Sequence, residues 1–113
     1  MRDKMYDLIY VSTAKGAPTH DDLKRLLTRA RERNSELGVT GLLAYDPETR
    51  SYVQILEGPK DAVLKIFDII RNDQGHEDIR VLKEGDSKTR RFGDWTMAMV
   101  ESAYFKAIVF EYL

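Results

Sequence analysis

Two apolar helical stripes, each set between runs of strand-type residues, limit the folds open to this chain. Leu23, Leu26, Leu27 and Ala30 recur at helical spacing, and so do Val63, Ile66, Phe67 and Ile70. Ahead of the first stripe, Tyr6 to Ser12 is rich in aromatic and β-branched residues and reads as a strand. A turn with Gly16 and Pro18 follows. Thr19 is suited to cap the first helix, with Asp21 and Asp22 in the first turn favouring the positive end of the helix dipole. Leu37-Gly38 is a helix stop, glycine taking the left-handed conformation. Two strands, VTGLLAY and SYVQILE, come next, joined by a hairpin around Asp46-Pro47-Glu48-Thr49. Gly58-Pro59 opens the second helix, with proline at or near its first position. A fourth strand is expected from about Asp78 to Lys83, and a fifth beginning near Trp95.

The order βαββαββ contains two right-handed β-α-β crossovers sharing one sheet. It predicts an α+β, ferredoxin-like sandwich: a five-stranded sheet with two helices on one face. The first and third strands then lie side by side at the centre. Leu8 and Tyr10 share one face of the first strand, with Ile9 and Val11 on the other. On the third strand Tyr52, Gln54 and Leu56 share a face, opposite Val53 and Ile55. Both sheet faces are therefore apolar, and two helices cover only one. The tail, SAYFKAIVFEYL, is amphipathic enough to cover the second, or a partner subunit does so. A chain stopping in such an apolar run is expected to be truncated or to form a dimer there.

The 113 residues fit one domain with one core. A net charge of −1 offers no basic stripe for nucleic acid. The absence of cysteine excludes disulfides, thiolate metal sites and cysteine nucleophiles, and fits a reducing cytoplasm. The first residues, MRDKMYDLIYVS, contain no uninterrupted apolar core of signal-peptide length, and no stretch of the chain is long enough to span a bilayer. A cytoplasmic location without membrane attachment is expected.

Four polar residues stand where the pattern wants apolar ones. Asn34 continues the first helical stripe and Asp73 the second, while Tyr10 and Gln54 lie on the two central strands. A buried polar group without a partner costs on the order of 1–3 kcal/mol, so each must find something to bond. If both helices lie on one face, their polar ends flank a slot over the central strands that suits a flat, mostly apolar ligand with hydrogen-bonding edges. Each residue also has a plainer reading. Asn34 can cap a fraying helix end, Asp73 can start a turn beside Asn72, and Tyr10 can be a core residue whose hydroxyl reaches water. Trp95 and Met97 share a strand face and read equally well as core. Gln54 is the hardest to explain away, because an amide in a central strand must be paired.

Taken together, LIYVS, RNSELGVTGLLAY, YVQILEGP and RRFGDWTMAM resemble the BLUF family, sensors of blue light using FAD, over roughly residues 6 to 100. The resemblance implies a photosensor domain over residues 1–100, followed by a segment, 101–113, that packs on the outer sheet face or mediates association. It implies FAD, with FMN possible, held non-covalently between the helices. Tyr10 matches the family's photoactive tyrosine and Gln54 the glutamine linking it to the flavin. Asn34 matches the asparagine on the ring's polar edge, Asp73 the acidic residue near the ribityl chain, and His76 a frequent histidine. Leu26 and Ile70 fall where aliphatic groups pack on the ring, and Trp95 and Met97 match the pair that carries the signal. The chain departs from the pattern at Arg33, where asparagine or histidine is frequent, and at Gly75, where arginine is common.

The implied mechanism is electron and proton transfer from Tyr10 by way of Gln54, which rearranges hydrogen bonds to the flavin and signals to a homo-oligomer or a separate effector protein. Two other classes compete. An enzyme of the acylphosphatase kind needs a glycine-rich anion loop with arginine after the first strand, and VSTAKGAPTH has neither feature. A ferredoxin-like interaction module, light-silent or free of cofactor, is the alternative.

Overall fold

The computed structural model describes residues 5–88 and 90–92, together with the backbone of 98–100. The elements run β1 (Met5–Ala14), α1 (His20–Leu37), β2 (Thr40–Asp46), β3 (Ser51–Pro59), α2 (Lys60–Arg71), β4 (His76–Ser87) and β5 (Ala98–Val100). They form one sheet in the order β4-β1-β3-β2-β5. The body of the sheet, β4-β1-β3-β2, is antiparallel throughout, and the short β5 runs parallel to β2 at its edge. Trp95, Met97 and the segment after Val100 lie outside the described residues. No described helix is long and apolar enough to cross a membrane.

The central pairing sets which side chains meet. Tyr10 stands directly opposite Gln54, and Leu8 opposite Leu56, in the β1–β3 register. Opposed residues of an antiparallel pair project to the same face. Tyr10, Leu8 and Leu56 accordingly join the cluster that packs under both helices, whereas Ile9, Val53 and Ile55 join Ala44 on the opposite side. Both helices cover one face.

β4 is longer than its apolar centre predicts, extending from His76 to Ser87. Its ends are polar and invisible to a hydrophobic pattern. They are strand because β1 offers an edge along its whole length, with register shifts between Ile9 and Tyr10 and between Val11 and Thr13 absorbing the mismatch. The β2–β3 hairpin turns where expected. Asp46 Oδ1 accepts from the Glu48 N–H and Oδ2 from the Thr49 hydroxyl, and Arg50 takes a positive φ of 56°.

The helices are seated differently. α2 buries Val63, Ile66 and Ile70 on β1 and β3. Each such side chain contributes about 1.5–3 kcal/mol when fully buried. α1 buries only Ala30 and Asn34, its leucines remaining half-buried. It is held instead at its ends. At the start Thr19 Oγ1 accepts from the Asp22 N–H and Asp22 Oδ2 from the Thr19 N–H, a reciprocal capping box. At the finish Gly38 is left-handed, φ 71°, and its carbonyl oxygen lies only 2.9 Å from where a Cβ on Gly58 would be. Pinned at both ends and only lightly packed between, α1 roofs a cleft over the sheet.

On the outer face a carboxylate is buried. Glu57, 1% exposed, accepts the Thr40 hydroxyl and the Phe92 N–H at Oε1, and the Arg91 N–H at Oε2, each at 2.8 Å. Arg90 donates to Thr40 Oγ1 and to the Gly38 carbonyl beside it. Arg90–Phe92, approaching β5, is thus fastened to the end of β3.

Candidate functional site

The cleft under α1 encloses about 300 Å³. Its inner end lies over β1 and β3, where Tyr10 and Gln54 are 3% and 4% exposed. Its mouth is bordered by Lys15 in the β1–α1 loop, by Arg29 on α1 and by Gly75 before β4. Leu26 on α1, Leu43 on β2 and Ile70 on α2 supply apolar wall.

At the inner end the Tyr10 hydroxyl donates to Gln54 Oε1 through a buried hydrogen bond. The pairing follows from the strand register, so the backbone preorganises it. The Tyr10 ring packs at 5.5 Å from Phe67 and edge-on to His76. Burial holds its phenol well above the ordinary tyrosine value, with the nearby Arg33 charge opposing that rise. Tyr10 is therefore a neutral phenol with one defined acceptor.

His76 is partly buried and engaged at both ring nitrogens. Its Nε2 donates to the Ile70 carbonyl at 2.7 Å, and its Nδ1 lies 2.7 Å from the buried Ser12 hydroxyl, which donates to it in that tautomer. It ties the end of α2 to β1 and edges onto both Tyr10 and Tyr52. Asp73 plays the turn role that was its plainer reading, Oδ1 accepting from the Gly75 N–H at 2.7 Å, and it also borders the cleft. Asn34 is fully buried near the end of α1, not frayed, and its carbonyl receives the Val39 N–H.

Three lining residues were not among the expected site residues, Arg33 having been noted only as a departure from the family pattern. Arg33 is half-buried, and its Nε is buried with no hydrogen-bond partner among the described residues. Burial pulls its guanidinium below the ordinary value, attraction to Tyr10 and Asp73 opposing that. Tyr52 lies two residues before Gln54 on the same face, stacks at 4.9 Å on Tyr45, and is pushed up to about 12 by burial and then by Tyr45. Period-2 alternation already placed Tyr52 beside Gln54. Lys15 belongs to a loop, where periodicity carries no signal.

The donor set fits a flat ring with acceptors on its edge. Aliphatic groups face it from both helices, a buried guanidinium N–H awaits an acceptor, and a phenol–amide pair closes the inner end. Such an arrangement defines a small-molecule-binding α+β module with a redox-capable phenol at its binding site.

Comparison with known proteins sharpens this class. The family model described as "Sensors of blue-light using FAD" matches residues 5–98. The photoactivated adenylate cyclase subunit beta of Euglena longa is 34% identical over 91 residues, covering 80% of this chain and 10% of that protein. The dark-state structure of BlrB, a BLUF protein, superposes with a TM-score of 0.83 at 31% identity, over 98% of this chain and 83% of that one. A bacterial light-regulated adenylyl cyclase gives 0.83 at 25% identity, over 95% of this chain and 34% of that one. The chain belongs to the BLUF family of flavin-using blue-light sensors. It spans about a tenth of the length of the Euglena cyclase subunits it matches.

Proposed function

We propose that this chain senses blue light through FAD, or FMN in its place, held in the cleft under α1, and that Tyr10 and Gln54 are its photoactive pair. The observation that carries this reading is the buried Tyr10–Gln54 hydrogen bond at the closed end of a cleft lined by aliphatic groups from both helices. Leu26, Asn34, Ile70, Asp73 and His76 are the further residues proposed to hold the ring and its chain. When bound, the flavin supplies a blue-absorbing ring that becomes a strong electron acceptor on excitation.

Tyr10, lining the cleft, would be the electron donor to a bound flavin. Oxidation makes a phenol strongly acidic, and its proton has one defined route, along the hydrogen bond to Gln54 Oε1. Gln54 suits a relay because its amide carries both a donor and an acceptor. With electron and proton both back on Tyr10, the Gln54 amide would be left rotated or tautomerised, and its changed hydrogen bonding toward a bound flavin would shift absorption slightly to the red. A population shift then passes from β3 by way of β2 toward β5, with Trp95 and Met97 as the proposed readers. The output is a changed association with a second copy or with a separate effector, the segment 101–113 taking part. Similar proteins named as photoactivated cyclases support a coupled effector.

Tyr10→Phe and Gln54→Leu test the mechanism. Both variants are expected to retain flavin, so the purified proteins stay yellow, while the reversible red shift under blue light disappears. A normal shift in either variant removes the mechanism.

A further inference from the structure

A closed circuit of hydrogen bonds joins the roof of the cleft to the approach to β5. The Arg90 guanidinium donates from Nη2 to the Gly38 carbonyl at 2.6 Å and from Nη1 to Thr40 Oγ1 at 3.0 Å. The Thr40 hydroxyl donates in turn to Glu57 Oε1 at 2.8 Å. Glu57 also accepts the Phe92 and Arg91 N–H groups, which returns the circuit to the residues beside Arg90. Bonds linked in this way polarise and reinforce one another, and the buried carboxylate makes a half-broken circuit costly.

The circuit begins where α1 ends. Gly38 is the left-handed residue that stops the helix, its N–H donating to the Asn34 and Ser35 carbonyls. Ala30 and Arg33, in the turns just before it, line the cleft. α1 buries only Ala30 and Asn34, so its two ends largely fix its height over the sheet. The first end is capped locally by Thr19 and Asp22, whereas the second is held by a side chain 52 residues further along. When this end lifts, the Gly38 carbonyl leaves Arg90 and Thr40 is drawn off Glu57, which loosens the Arg91 and Phe92 amides. An occupant of the cleft gives α1 contacts that the chain itself does not supply, and so keeps the circuit closed.

We infer that Arg90 is a positioning residue that couples occupancy of the cleft to the backbone of Arg91 and Phe92, so that a filled cleft tightens the approach to β5. This coupling rests on the flavin reading, which supplies the occupant. Residues 90–92 act as a strap with two states, closed on Glu57 or released, and the cleft biases the balance between them. Arginine suits the task because its planar fork reaches two acceptors at once, which the single ammonium of lysine does not do with the same geometry.

The test follows amide hydrogen exchange in the dark, without and with saturating FAD. The Arg91 and Phe92 amides should slow by at least about fivefold when FAD is bound, the lower end of ordinary coupling between two sites. The Glu48 amide is the reference, since Asp46 holds it in the hairpin at the other end of β2, where local opening does not involve α1. Its rate should stay unchanged. In Arg90→Leu the Arg91 and Phe92 amides should exchange faster than in the parent and lose their response to FAD. Arg90→Lys, which restores the cation, should recover part of that response. Equal slowing at Glu48 overturns the strap, since FAD would then be stabilising the whole fold, and so does a response that survives intact in Arg90→Leu. A parent that binds FAD with no change at Arg91 and Phe92 overturns the coupling and leaves the flavin reading standing. A parent that binds no FAD overturns the flavin reading, and the coupling with it.

Discussion

Replacing Glu57 by glutamine tests whether the buried carboxylate fastens the approach to β5. The two side chains share a shape, so no cavity opens and packing is unchanged. What changes is acceptor capacity. Two oxygens accept from Thr40, Phe92 and Arg91 in the parent, each at 2.8 Å. An amide has one oxygen, and its NH₂ must face at least one of those donors. Facing it toward Arg91 loses that bond, and facing it toward Thr40 and Phe92 loses the Phe92 bond and makes the Thr40 hydroxyl turn from donor to acceptor. The first orientation is favoured, because Arg91 is exposed and its orphaned N–H can turn to water. A hydrogen bond to a charged group contributes about 1.5–3 kcal/mol, so Glu57→Gln should cost about 2 kcal/mol. With a urea dependence of about 1–3 kcal/mol per molar for a small domain, the unfolding midpoint falls by roughly 1 M. Amide exchange at Arg91 and Phe92 should quicken by more than global destabilisation explains, while Leu8 and Ile55 follow the global change. An unchanged midpoint with unchanged exchange at Phe92 would refute the reasoning, since it would mean that water already satisfies these donors.

Two further outcomes follow from the packing and the electrostatics. Gly58→Ala puts a Cβ 2.9 Å from the Gly38 carbonyl oxygen and 3.1 Å from a Val39 methyl. It should cost about 1–3 kcal/mol in thermal or urea unfolding, because rigid backbone must move; an unaltered melting temperature would contradict the close seating of α1. Burial raises the Tyr52 phenol from 10.0 to about 12 in the folded chain. The unfolded chain loses this proton first, so the contribution is fully present below pH 10 and is lost as pH climbs toward 12. In Tyr52→Phe that part of the alkaline decline should flatten, and the latest-titrating tyrosinate absorbance should be missing; an identical alkaline profile would argue against the buried phenol.

Much of the site was legible because β-strands alternate strictly. Once Tyr10 and Gln54 were assigned to adjacent central strands, only the register decided whether they met, and the crossover order left few registers open. The inward placement of Asn34 was legible for a similar reason, a polar residue continuing an apolar helical stripe, though Asn34 is buried without lining the cleft. The hydrogen bonds of His76 were not legible, because its partners, the Ser12 hydroxyl and the Ile70 carbonyl, come from two other elements and leave no local pattern. Asp73 takes its plainer reading, one oxygen closing a turn, and that turn borders the cleft. The extent of β4 was hidden because its polar ends are strand only by pairing with β1.

Local sequence determined which segments are helix or strand, where α1 begins and ends, and that a phenol and an amide lie on the inward faces of two strands. These are matters of periodicity, capping and turn chemistry, each written within a few neighbouring residues. The tertiary structure decided the rest: that α1 stands off the sheet and roofs a cleft, that Lys15 and Arg29 both border it, and that Glu57 is buried beneath the backbone of Arg91 and Phe92. Those arrangements depend on charges and hydrogen-bond donors distant in the chain. No local propensity encodes a partner that only the folded backbone brings within reach.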